Sequence, residues 1–281
     1  MLQEKGMLVF LSISQWTARK HDKSVDNDVA AKYNTANDVG RYNKLLVAQD
    51  ELRAIQRAVN KARTFHYYNT LPWSDNGDRV LTSLNYFDYV KGMRGCKDEF
   101  VNPVDSFCVI YSALVTQQKK RLNGLFNPAD YPPSELIKSK FRFETTFNPL
   151  PEKGDFRVSL QDDEVEKIKE EMTQREHILT EKAMRECWQR LYDVVQHMAS
   201  TLKDKNSKFK DSLVGNIVRL TQLLPKLNLT GDPDLEIMRR EVEQTLASYD
   251  ADDLRSISRV RRSAAKDADA ILEKMAGYVG Q

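Results

Sequence analysis

From Val165 to Leu202 apolar residues return at steps mostly of three, four and seven: Val165, Ile168, Met172, Leu179, Met184, Trp188, Leu191, Val195, Met198 and Leu202. This spacing sets all ten on one face of a helix about forty residues long, close to a heptad repeat with one slip between Leu179 and Met184. A helix with such a stripe needs something to cover it, either elsewhere in the same chain or in a second copy.

The rest of the sequence points the same way. Gly (11) and Pro (9) are scarce in 281 residues, which favours long helices over a turn-rich β fold. Val39, Tyr42, Leu45, Leu46, Leu52, Ile55 and Val59 continue a helical period over about 25–64, with Arg41, Lys44, Asp50, Arg53, Arg57 and Lys61 on the other face. Two helices are expected over 83–100 and 102–126, with Pro103 in the first turn of the second. Past the acidic start at Ser159, "SLQDDE", come the striped helix, two more separated by "TGDP", and a last helix over roughly 251–278.

Two segments read as strands. "MLVFLSISQW" is β-branched and aromatic, preceded by a loose leader over 1–6. "KFRFETTF" alternates aromatic and polar residues inside the non-helical 126–158, which holds five of the nine prolines. The expected fold is therefore mainly α, with long C-terminal helices and a small two-stranded β element made of the N-terminal strand and 140–148. Two consecutive regions follow: 1–158, helical with the β element and an aromatic loop at 62–81, and 159–281, helical and coiled-coil-like.

Charge and cysteine usage limit the function classes. Net charge is +2, with 23 Lys+Arg against 18 Asp+Glu over 1–157 and 20 against 23 in the remainder. Cys96, Cys108 and Cys187 form no CxxC and no disulfide framework, which reads as a reducing compartment. The run "MLVFLSI" is too short to span a bilayer and lacks a signal-peptide cleavage site, so no membrane partner is expected.

No phosphate-binding loop, dinucleotide fingerprint, HExxH, GxSxG or kinase set occurs. His21, His66, His177 and His197 are too scattered to suggest a metal site, and "SDNGD" at 74–78 lacks the register of a calcium loop. No catalytic residue, cofactor or metal is expected, and the chain reads as non-enzymatic. A cleft gathering His66, Asp75 and Asp78 would be the one route back to an enzyme.

What remains is basic and aromatic. "QWTARKHDK" places Trp16 beside Arg19 and Lys20. "ARTFHYYNTLPWSDNGDRVL" groups Arg63, His66, Tyr67, Tyr68, Trp73 and Arg79 where a helix stops before Pro72 and Asn76-Gly77 makes a turn. Rings that stack on bases beside cations that hold phosphates are the composition of a single-strand platform. "KKR" at 119–121 and "RVRR" at 259–262 add further cations. The same loop also reads as a structural corner, with Trp73 and Tyr68 pinned onto the helices and an arginine paired to Asp75 or Asp78.

The stretches "LSISQWTARKHDK", "GRYNKLL", "ARTFHYYNTLPWSDNGDRVL", "YFDYVKGMR", "RLNGLFNPADYP", "CWQRLYDVVQHM" and "AAKDADAILEKMAGY" resemble an uncharacterised family of tailed-bacteriophage proteins, from about Met7 to the C-terminus. Members of that family are sometimes encoded near MoxR-like AAA+ ATPase and von Willebrand-A-type genes. The resemblance implies the cytoplasm of an infected bacterial host and a viral role, with no catalytic residue to carry over. Two functions follow as expectations. One is an oligomeric helical adaptor or scaffold, pairing with itself or with a phage or host protein such as an AAA+ ATPase. The other is a single-stranded nucleic-acid-binding factor in phage replication, recombination or defence evasion.

Overall fold

The computed structural model describes residues 2–152, 162–204 and 206–279. The elements run in the order α1 (Leu2–Lys5), β1 (Gly6–Ser14), β2 (Arg19–His21), α2 (Lys23–Tyr33), β3 (Asn43–Leu45), α3 (Gln49–Asn69), β4 (Leu71–Pro72), β5 (Arg79–Thr82), α4 (Tyr86–Leu122), α5 (Ser134–Ile137), β6 (Arg142–Pro149), α6 (Asp162–Lys203), α7 (Ser212–Leu227), α8 (Pro233–Thr245), α9 (Ala251–Ser256) and α10 (Ser258–Met275). The protein is mainly helical with a small antiparallel sheet. Strands follow the order β4-β5-β1-β6, so the N-terminal strand lies beside the 140–148 segment. The hairpin β4–β5 widens that sheet to four strands, and β2–β3 forms a second one. Gly77, at φ +97°, supplies the left-handed residue that the β4–β5 turn requires. The helix start expected at Ser159 lies outside the described residues.

Contacts divide the chain into two interleaved units, where the sequence reading divided it consecutively at 158. A large unit holds Met1–Phe10, Tyr67–Tyr89 and Thr146–Gln281, and a small unit holds Leu11–His66 and Val90–Thr145. The chain passes from one set to the other inside β1, α3, α4 and β6.

In the large unit the stripe of α6 is covered by the same chain. Met184, Trp188, Leu191, Val195, Met198 and Leu202 are buried in one core with Leu213, Ile217 and Leu224 of α7 and Ala264, Ala268 and Ile271 of α10. Alanines at 264 and 268 let α10 lie close along α6, and each buried leucine contributes about 1.5–3 kcal/mol. No second copy is needed to cover this half. Val165, Ile168, Met172 and Leu179 are only half-buried, and Leu179 alone of the four touches the core. Asp232 caps α8 through bonds from the Asp234 and Leu235 amides (2.9 and 3.2 Å), with Pro233 next to it at the first helical position.

Several expected boundaries move. The helix expected over 25–64 is two, α2 and α3, with β3 between them. Asn34 ends α2 in the left-handed conformation (φ 52°), and Val39 (71% exposed) stands in solvent instead of continuing a stripe. The pair expected at 83–100 and 102–126 is the single 37-residue α4, running through Pro103. Phe100, Val104, Phe107 and Tyr111 are buried on one face across the proline, and that packing outweighs the lost backbone bond. The last helix breaks at Ile257 into α9 and α10. Residues 2–5 of the supposed leader form one helical turn, whose Leu2 packs on the core of the large unit.

Candidate nucleic-acid interface

The two units differ sharply in charge. The small unit carries 19 Lys+Arg against 12 Asp+Glu, net +7, and the large unit 24 against 29, net −5. A modest end-to-end asymmetry in the sequence is therefore a strong one between the contact-defined units.

Within the small unit, the segment after β1 is held by an unusual turn. Ala18 is buried and sits at φ 51°, a left-handed conformation that alanine adopts at a cost. Its carbonyl accepts the Leu46 amide at 2.8 Å, which starts the β2–β3 ladder with Arg19 opposite Leu45 and Lys20 opposite Lys44. Behind the ladder, the buried Lys44 ammonium donates to Asp22 Oδ2 (2.8 Å) and the Leu125 carbonyl (2.9 Å) and forms an ion pair with Asp130 Oδ2 (2.8 Å). The Lys44 hydrogen bond, seconded by the Ser24 hydroxyl, pulls the Asp22 carboxyl down to about 2. Asp130 and Asp22 outweigh the desolvation of Lys44 and raise its pKa. Asp26 fixes the first turn of α2 by accepting from the Tyr42 amide (2.6 Å) and bonding His21.

On this base lies a groove of about 550 Å³, lined by Gln15, Trp16, Thr17 and Arg19 on one side and by Gln49, Leu52, Arg53, Gln56 and Arg57 of α3 on the other. The Trp16 ring is half-buried, tilted on Phe107 at 6.1 Å and edge-on to Tyr111 at 5.6 Å. Gln15 Nε2 bonds Gln56 Oε1 across the groove at 2.8 Å, and Gln56 Nε2 bonds Asn60 Oδ1 at 3.0 Å. Arg53 pairs with Asp50, while Arg19 and Arg57 have no carboxylate partner among the described residues. From Leu52 to Asn69 α3 contains no acidic residue at all. An indole fixed by two other rings, three guanidiniums and three amides form a lining that can stack a base and hold its phosphates.

The residues expected on the aromatic-basic surface separate. Trp16 and Arg19 line the groove. Lys20, exposed on β2, lines the neighbouring cavity of about 620 Å³ with His21 and Lys44. Arg63 is exposed further along α3, and His66 is buried (3%). In the large unit Tyr67 and Tyr68 are exposed, but Trp73 (5%) belongs to the core with Leu8, Leu71, Val80 and Trp188, so it cannot stack on a ligand. Arg79 is turned inward, over the Tyr67 ring (4.9 Å) and onto Thr70 Oγ1 (2.7 Å), and burial beside Arg190 lowers its pKa to about 10. Arg190 caps the end of α3 through the Tyr67, Tyr68 and Thr70 carbonyls, each at 2.9 Å. This half of the loop is a corner. Of the "RVRR" cluster, Arg261 is spent on the carbonyls of Thr201 and Leu202 at the end of α6.

Sequence reasoning missed Gln15, Gln49 and Gln56. Of the three only Gln56 lies in the acid-free run of α3, and an amide carries no charge signal of its own. Asp75 is fully exposed opposite Lys182 (3.4 Å), and Asp78 bonds Asn76 within the turn. Among the described residues no group of three or more His, Cys, Asp or Glu could hold a metal ion, and no helix is long and apolar enough to cross a membrane. No family model, curated protein or solved structure matches this chain, so the functional reading rests on the geometry of the groove.

Proposed function

We propose that the protein is a non-enzymatic factor that binds single-stranded nucleic acid through its small unit. One observation carries the reading: Trp16 and the three arginines Arg19, Arg53 and Arg57 share one groove on a unit of net charge +7. Exposed bases stack on an aromatic ring, and guanidiniums neutralise the phosphates between them. In the setting implied by the phage resemblance, such a factor serves replication, recombination or defence evasion in the host cytoplasm.

The test is fluorescence anisotropy with labelled single- and double-stranded oligonucleotides over a salt series. Single strands are expected to bind more tightly, with log affinity falling against log salt by about 0.7 per phosphate contact. Arg19→Gln with Arg57→Gln should weaken binding about tenfold or more and flatten that slope. No binding at low salt would end the proposal.

The adaptor reading keeps one specific support, the half-buried Val165, Ile168 and Met172 of α6, which lie outside the core cluster. It describes a helix end that docks on a second copy or on a phage or host protein such as an AAA+ ATPase. A strictly monomeric mass in solution, together with no captured ATPase, would remove it.

A further inference from the structure

Beyond the groove, the face of α3 continues as a polar and basic line. Gln49 and Gln56 lie seven residues apart, and Asn60 and Arg63 follow at steps of four and three, which keeps all four on one face. The Gln56–Asn60 hydrogen bond makes the line physically continuous. Beyond it Arg63 is exposed, with no carboxylate partner among the described residues. Lys61, on the adjoining face, is held by Glu99 at 2.5 Å, so the pairing removes the competing cation and leaves Arg63. The rise from Arg57 to Arg63 is about 9 Å.

We infer that Arg63 is a second phosphate-binding residue outside the groove, and that the ligand is a strand long enough to run from Trp16 along α3 to it. A mononucleotide or a lone phosphate would fill the groove and stop short of Arg63. The occupant is a nucleic-acid strand because the path starts at a half-buried indole, which an acidic peptide has no base to stack on, and then runs along 52–69 of α3, a stretch with cations and no acidic residue. This rests on the proposed groove, and the experiment separates the two.

Wild type, Arg57→Gln and Arg63→Gln are compared on two probes. Thymidine monophosphate is followed through the Trp16 indole N–H in NMR spectra, and a labelled strand of about twelve nucleotides by anisotropy over salt. Arg63 is exposed and has no carboxylate partner among the described residues, so its variant keeps the fold, checked by circular dichroism. Arg63→Gln is expected to weaken the strand about five- to tenfold and lower its salt slope by about 0.7, leaving the mononucleotide unchanged. Arg57→Gln is expected to weaken both. If the wild type binds the strand but Arg63→Gln changes neither affinity nor slope, or weakens both probes equally, the extended path is wrong and the groove stands. If a poly-glutamate peptide competes as well as the strand with the same dependence on Arg63, the ligand class is wrong. If the wild type binds neither probe, groove and path fall together.

Discussion

The ring of Phe65 on α3 occupies the space that a side chain at Gly92 on α4 would need. A Cβ built on Gly92 overlaps three carbons of that ring. At this point α3 and α4 therefore approach through a hydrogen on one side and the tip of a phenyl ring on the other. Gly92→Ala should destabilise the protein by about 1–3 kcal/mol through overpacking, despite alanine's better helix propensity. Chemical denaturation measures it. Combining it with Phe65→Ala should recover part of that loss, and strict additivity would contradict the packing described.

Trp73 makes the second prediction. It is buried among Leu8, Leu71, Val80 and Trp188, so Trp73→Ala removes core and not a binding surface. A cost of about 3–5 kcal/mol is expected from a lowered unfolding midpoint. A variant of wild-type stability would place the ring at the surface.

Acid should act on the Lys44 network. Asp22 is ordinarily at 3.8 and is held at about 2 when folded, so folding is strengthened by its charged form. A depressed carboxyl gives its full contribution above about pH 4, and the contribution disappears as pH falls through about 2. Glu236, held near 2 chiefly by Arg239, acts in the same window. The stability gap between wild type and Asp22→Asn should be constant above pH 5 and close between pH 4 and 2. A gap that persists at pH 2 would mean the ion pair is not what Asp22 contributes.

The thiols should differ in reactivity. Burial pushes Cys187 up to about 12, and the thiolate is the reacting form. A disulfide reagent at pH 8 should leave Cys187 unmodified until the protein unfolds, while the half-buried Cys108 reacts earlier. Mass spectrometry of timed digests reads this directly, and early labelling of Cys187 would contradict its packing.

Helices with a sustained apolar period were legible from the letters, because a helix that packs one face on a core repeats apolar residues at three- and four-residue steps. That held for α6, α7 and α8, and for the strand pairing of β1 with 140–148. It failed where another force competed. Val39 and Tyr42 keep a helical period yet lie in an exposed connection, since Asn34 had already turned the chain left-handed. Pro103 reads as a break until Phe100 and Val104 are seen packed on either side of it. In the candidate groove, Trp16 and Arg19 stand out by composition, whereas Trp73 looks equally eligible in the letters. Only burial separates a ring that faces a groove from one that fills a core. The glutamines of the groove were silent because an amide carries no local signature until a cation and a ring are placed beside it.

The interleaving of the two units fixes an order in time. Every residue of the basic unit has been made once Thr145 is added, whereas the acidic unit waits for the helices from α6 onward. At about 5–20 residues per second the difference is on the order of ten seconds. On the ribosome, a nascent chain thus has the complete sequence of its cationic groove while the helices that carry most of its negative charge are still being translated, beside a polysome rich in exposed RNA.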